Sequence, residues 1–121
     1  MKKQFNRVYI AGKVTGLDTV TYTNMFNAAK NSLEKIFDYE IVNPILLGSE
    51  QYTWEENMKF CIQELLQCDM VVFIPGWRSP EGISKGASLE YAIAKALGYK
   101  LYEFDSTFTD NNCFSNIHEI E

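Results

Sequence analysis

Asp69-Met70-Val71-Val72-Phe73-Ile74-Pro75 is the segment from which the architecture can be worked out. Its apolar run is unbroken, whereas a strand with one wet face alternates apolar and polar residues. Such a run suits a central strand of a parallel sheet, covered on both faces. Pro75 can supply no ladder donor and ends the run. Upstream, Thr53-Trp54-Glu55-Glu56 is a capping-box sequence, in which the Thr53 hydroxyl and Glu56 carboxylate each satisfy an orphan amide. It predicts a helix to about Gln67, with Met58, Cys61, Ile62, Leu65 and Leu66 facing inward. Downstream, the loop Gly76 to Ile83 leads into a helix from about Ser84 to Leu97, stopped by Gly98. Lys100-Leu101-Tyr102-Glu103-Phe104 then reads as another strand.

Further out, Arg7-Val8-Tyr9-Ile10-Ala11 reads as a buried strand followed by a glycine-flanked loop, Gly12 to Asp18. Tyr22 to Phe37 places Met25, Phe26, Ala29, Leu33 and Ile36 on one helical stripe. Glu40-Ile41-Val42-Asn43 is a brief strand stopped by Pro44. Strands alternating with helices predict an α/β fold built of right-handed βαβ units. The expected form is a three-layer, flavodoxin-like (Rossmann-like) sandwich with a parallel sheet of about four strands, order 2-1-3-4. Residues 1–105 would form this domain. Residues 106–121 would form a polar tail whose Phe108, Phe114 and Ile117 are candidates for an oligomer contact. A ligand in such a sheet sits beyond the carboxyl ends of the strands, where their order reverses. Gly12 to Leu17 and Gly76 to Ser84 should therefore face each other across the site.

The 121 residues suit one domain, and 46% hydrophobic with 22% charged residues is ordinary for a globular protein. No apolar run approaches the roughly 20 residues of a membrane span. The segment Met1 to Asn6 lacks the apolar stretch of a signal peptide, so a cytoplasmic protein is expected. Cys61, Cys68 and Cys113 include no C-x-x-C pair and imply neither a zinc site nor a disulfide framework. The single histidine, His118, has no ligand partners nearby in sequence, so no metal or cofactor is expected. A formal net charge of -5 argues against a protein that coats nucleic acid. The expected partner is small, with anionic groups met by local backbone amides.

Ser84-Lys85-Gly86-Ala87-Ser88-Leu89-Glu90 carries the strongest local signal. A small, glycine-containing turn opens a helix just after a buried strand, so free amides and the helix dipole can hold an anion. The Ser84 hydroxyl adds a donor. Glu90 can point back towards the same place, because helical side chains lean towards the N-terminus. The alternative is a capped helix with a solvated glutamate.

This segment joins Tyr9-Ile10-Ala11-Gly12, Thr15-Gly16-Leu17, Asn43-Pro44, Thr53-Trp54, Cys68-Asp69 and Pro75-Gly76-Trp77. Together they resemble the nucleoside 2-deoxyribosyltransferase-like superfamily, most closely a branch of small bacterial and phage proteins grouped as a domain of unknown function. The resemblance covers Val8 to about Phe104. Characterised relatives include the transferases and the 2'-deoxynucleoside 5'-phosphate N-hydrolases. These cleave the N-glycosidic bond through a carboxylate nucleophile in a motif ending Glu-(Leu/Tyr/His)-(Gly/Ala), which Glu90-Tyr91-Ala92 matches. The resemblance implies that Glu90 attacks the anomeric carbon and that water or a second base resolves the glycosyl-enzyme. Ser84 stands where the phosphohydrolases bind the 5'-phosphate with serine and the transferases have aspartate. That implies a nucleoside 5'-monophosphate rather than a free nucleoside, with Lys13 and Lys85 helping to balance its charge. Relatives form dimers or larger assemblies, which implies a homo-oligomer here.

Several of these residues have two readings. Tyr9 matches the family tyrosine that orients the nucleophile, or it is a core aromatic. Gly12 and Gly16 let backbone approach a ligand closely, or they are turn glycines. Trp77 stacks on a base, or it forms a hydrophobic lid or an oligomer contact. Trp54 reads as a packing residue at a helix start, and Asp69 as structural. One departure stands out. Active relatives carry, on the helix before the third strand, an aspartate that supports proton transfer to the leaving base; the matching position here is Cys61. A thiol with a pKa near ~8.5 replaces it poorly, and general acid–base help is worth ~10²–10⁴ in rate. Cys61 also falls on the inward stripe with Ile62 and Leu65, where buried cysteine is common. Three functions are therefore carried forward. They are an N-glycosidase or deoxyribosyltransferase-like enzyme, a catalytically weak or inactive nucleotide binder acting as a sensor or sequestering protein, and a structural module on the same fold.

Overall fold

The computed structural model describes residues 7–46, 51–79, 82–105 and 116–120. Strand β1 (Arg7–Ala11) is followed by helix α1 (Thr19–Ile36), strand β2 (Glu40–Val42) and a 3-10 turn, Pro44–Leu46. Helix α2 (Trp54–Leu65), strand β3 (Met70–Phe73) and a small pair, β4 (Arg78–Ser79) with β5 (Gly82–Ile83), come next. Helix α3 (Lys85–Ala96), strand β6 (Lys100–Phe104) and strand β7 (Ile117–Glu119) complete the order. The fold is α/β, with a five-stranded mixed sheet in the order β2-β1-β3-β6-β7. Its first four strands are parallel and β7 is antiparallel to β6.

Side-chain alternation divides the core in two. Val8 and Ile10 of β1 and Met70 and Val72 of β3 pack with Phe26, Ala29 and Leu33 of α1 on one face. Tyr9 and Ala11, with Val71 and Phe73, pack with Leu65 of α2 and with Ala87 and Ala94 of α3 on the other. Both faces of β1 and β3 are thus covered, which is why those strands read as unbroken apolar runs. Among the described residues no helix is long and apolar enough to cross a membrane.

Three expectations, about the sheet, the chain's end and a loop, need correction. The sheet has five strands rather than about four, and the residues beyond 105 are not only a tail: Ile117 pairs with Phe104 and Glu119 with Tyr102. Ile117 packs against its own core, as a residue of the edge strand. Phe108 and Phe114 lie outside the described residues. The segment Gly76 to Ile83, expected as a loop, contains the antiparallel pair of Arg78 with Ile83 and Ser79 with Gly82.

Helix ends set the positions that matter for the site. Asp18 caps α1, its Oδ1 accepting from the Thr21 amide at 3.0 Å, so the helix starts a turn earlier than its apolar stripe suggests. The Thr53–Glu56 capping box forms at the head of α2, with reciprocal bonds of 3.1 and 2.8 Å. Ser84 caps α3, its Oγ accepting from the Ala87 amide at 3.2 Å. At the opposite ends of the strands, Arg7 pairs with Glu40 at 3.1 Å and Glu64 at 3.2 Å, tying β1 to β2 and α2.

Candidate functional site

Glu90 sits in the second turn of α3 and is only 5% exposed. Its Oε2 accepts the hydroxyl proton of Tyr9, which β1 delivers from the α2–α3 face of the sheet. Burial raises the Glu90 carboxyl to about 8, and the Tyr9 hydrogen bond pulls it down by less. Tyr9, fully buried, is raised well above the usual tyrosine range by burial first and by the Glu90 charge next. The Cys61 thiol lies close to both Tyr9 and Glu90, and burial with the nearby Glu90 charge pushes it up to about 11. The three groups form one contiguous set in which only Glu90 titrates near neutrality. A carboxyl group poised this way can serve as a proton donor below about pH 8 and as a nucleophile or base above it.

This set faces a cavity of about 480 Å³. Helix α1 supplies one wall, with Thr19, Tyr22, Thr23 and Phe26 at helical spacing. Helix α2 supplies a second, with Trp54, Asn57, Met58 and Cys61. The head of α3 brings Ser84, Gly86, Ala87 and Glu90, and the end of β1 brings Tyr9 and Gly12. One end of the cavity thus holds the ionisable group and the helix N-terminus; the α1 wall is neutral, a mixture of hydroxyls and aromatic rings. That size and mixture suit a small organic ligand with an anionic group. Among the described residues no group of three or more His, Cys, Asp and Glu could hold a metal ion.

Residues 6–103 match the family model described as Domain of unknown function (DUF4406). The chain belongs to the DUF4406 family. The matched span contains every wall of the cavity and stops short of β7. No curated protein matches the chain.

Of the residues singled out from the DUF4406 sequence, the structure brings Tyr9, Gly12, Cys61, Ser84, Gly86, Ala87 and Glu90 to the one cavity. A Cβ on Gly12 would come within 3.1 Å of Ile74, and one on Gly86 within 3.1 Å of the Met58 sulfur. Both glycines therefore serve close packing around the cavity. Lys13 lies next door, in a second hollow of about 310 Å³ that shares Thr15, Trp54 and Ser84 with the first. Two residues do not join the site. Gly16 is absent from the cavity lining. Its φ of +88° and the Leu17 amide bond to the Val14 carbonyl, 3.1 Å, make it a turn glycine. Trp77 is 4% exposed and stacks on Phe73 at 4.4 Å, its indole N–H donating to Glu103 at 2.9 Å. A ring held on both its face and its edge is core, not a base-stacking lid. Trp54, which its place at the head of a helix had suggested to be packing, does line the cavity, together with Tyr9, Tyr22 and Phe26. The α1 wall was also missed; the signal that could have found it is the Asp18 cap, which puts Thr19, Tyr22, Thr23 and Phe26 on one face.

Proposed function

We propose that the chain takes a nucleoside 5'-monophosphate, or a related N-ribosyl compound, into this cavity and cleaves its N-glycosidic bond with Glu90 as nucleophile. One observation carries the reading. Among the described lining residues, Glu90 is the only carboxyl group, and it is buried, held by Tyr9 and turned to the cavity. Tyr9 occupies Oε2, so Oε1 is the attacking oxygen. As Oε1 bonds to the anomeric carbon, the carbon–nitrogen bond breaks and its electron pair leaves on the base, which takes a proton from solvent. Water then attacks the same carbon, the glycosyl ester bond breaks, and the carboxylate is restored with release of a proton. The phosphate rests at the head of α3, where the Ser84 hydroxyl and the first helical amides offer donors. Trp54 offers a ring face to the base, and the α1 hydroxyls offer partners to its edge or to the sugar.

The second reading, a nucleotide binder with little or no turnover, is favoured by Cys61. A thiol pushed up to about 11 is a poor proton donor to a leaving base, and it stands beside the carboxyl that must act. One assay separates the two. The protein is incubated with ribo- and deoxynucleoside monophosphates and free base is measured. Base release that disappears in Glu90→Gln supports the enzyme. A raised melting temperature without base release supports the binder, and neither response with any nucleotide rejects both.

A further inference from the structure

We propose that the hollow beside the cavity is a second phosphoryl subsite, so that the preferred ligands are 5'-pyrophosphate esters of nucleosides rather than monophosphates. The inference rests on the nucleotide reading of the adjoining cavity. The hollow adjoins that cavity, with Thr15, Trp54 and Ser84 lining both. A phosphate at Ser84 therefore has open space beyond it. At about 310 Å³, against roughly 30 Å³ for one water's share of the liquid, that space holds a phosphoryl group and its hydration. Its other lining residues are Lys13, Lys85 and Glu55.

The charges are the second observation. Arg7 and Arg78 are both ion-paired, with Glu40 and Glu64 and with Glu103 respectively. Among the described residues no lysine has an ion-pair partner, and Lys13 and Lys85 are the two that line the hollow, in a chain whose net charge is -5. The Lys85 ammonium instead lies 4.2 Å from the centre of the Trp54 ring, which holds it at the hollow's edge. Two ammonium groups against one carboxylate in the lining give the hollow an excess of positive charge, which suits a bound anion. A monophosphate at Ser84 leaves much of that attraction unused; a second phosphoryl group reaches it.

The test measures affinities by calorimetry for a nucleoside, its 5'-monophosphate, its 5'-diphosphate and its diphospho-ribose, with each common base. Glu90→Gln protein is used beside the wild type so that turnover does not interfere. The diphosphate should bind ~10-fold more tightly than the monophosphate, an advantage that shrinks as salt is raised. Lys13→Met and Lys85→Met, made separately, should each reduce the di-to-monophosphate ratio towards ~1, with melting curves confirming that the variants fold. Comparable affinity for the diphospho-ribose supports a subsite that accepts a diester; much weaker binding of it supports one that needs a free terminal phosphoryl group. Equal affinity for mono- and diphosphate overturns the proposal, as does an equal loss for both ligands in the lysine variants. Base release from monophosphates without a diphosphate preference would sink this subsite alone. A diphosphate preference without base release would sink the cleavage reading alone.

Discussion

A carboxyl group removed from water holds its proton more tightly than one in solution, and burial does this to Glu90 against the smaller opposing pull of the Tyr9 hydrogen bond. Because attack needs the carboxylate, the rate of base release should climb with pH and level off above about 8; a rate that is flat between pH 6 and 9 would contradict this. The same shift acts on stability. The folded-state value lies above the ordinary 4.5, so its stabilising contribution is complete below that pH and is lost as pH rises through about 8. Glu90→Gln keeps an acceptor for Tyr9 and removes the charge. It should therefore be the more stable protein by ~1–3 kcal/mol at pH 8, with the gap closing near pH 4.5, as melting curves at the two pH values will show. Cys61→Asp should raise the rate of base release by ~10-fold or more if the thiol limits proton transfer. An unchanged or lower rate would show that position 61 is not the limiting one. Strand alternation alone could say that Tyr9 points to the opposite face from Ile10. It could not say that the α3 carboxyl meets it there, because that contact joins residues 81 apart in the chain.

Helix ends decide what lines the cavity. Ser84 both caps α3 and faces the cavity, so its two roles need separating. Ser84→Ala should cost ~1 kcal/mol as a lost cap and should also weaken phosphate-bearing ligands more than free nucleosides. Thr53→Ala, at the head of α2, should cost a similar ~1 kcal/mol without that discrimination. Equal ligand effects in the two variants would reduce Ser84 to a cap. The α3 cap, the α2 capping box and the β1 and β6 strands were legible because each is written in adjacent residues. The start of α1 was less so: its first turn, Thr19-Val20-Thr21-Tyr22, carries no apolar stripe, and only the Asp18 cap marks it. Trp77 misled for a different reason. Proline and glycine before it argue for an open loop, but the ring turns inward because Glu103 on β6 can accept its N–H.

Over the whole molecule, the site lies around β1 and the helices, and the far edge of the sheet is closed by β7. Glu103 links that edge to the β4–β5 pair. It accepts from Arg78 at 3.0 Å as well as from Trp77, and the His118 ring lies within 3.5 Å of it and 2.5 Å of Asp105. Ile117→Ala should lower stability by ~1 kcal/mol, as a partly buried contact on the core, while leaving the nucleotide-induced rise in melting temperature intact. Loss of that rise would mean that the edge and the cavity are coupled. The α/β class was legible from alternating strand and helix signals, since each needs only local pattern. Strand β7 was not: Ile117-His118-Glu119 offers one apolar residue, and its strand character comes from pairing with Tyr102 to Phe104.

The claim on which the rest depends is that Glu90 forms a bond to the sugar. Wild-type protein mixed with nucleoside monophosphates, quenched in acid and digested, should yield a Glu90 peptide heavier by the mass of the sugar phosphate, and Glu90→Gln should yield none. Free base accumulating without that adduct, or with the adduct on another residue, would contradict the account.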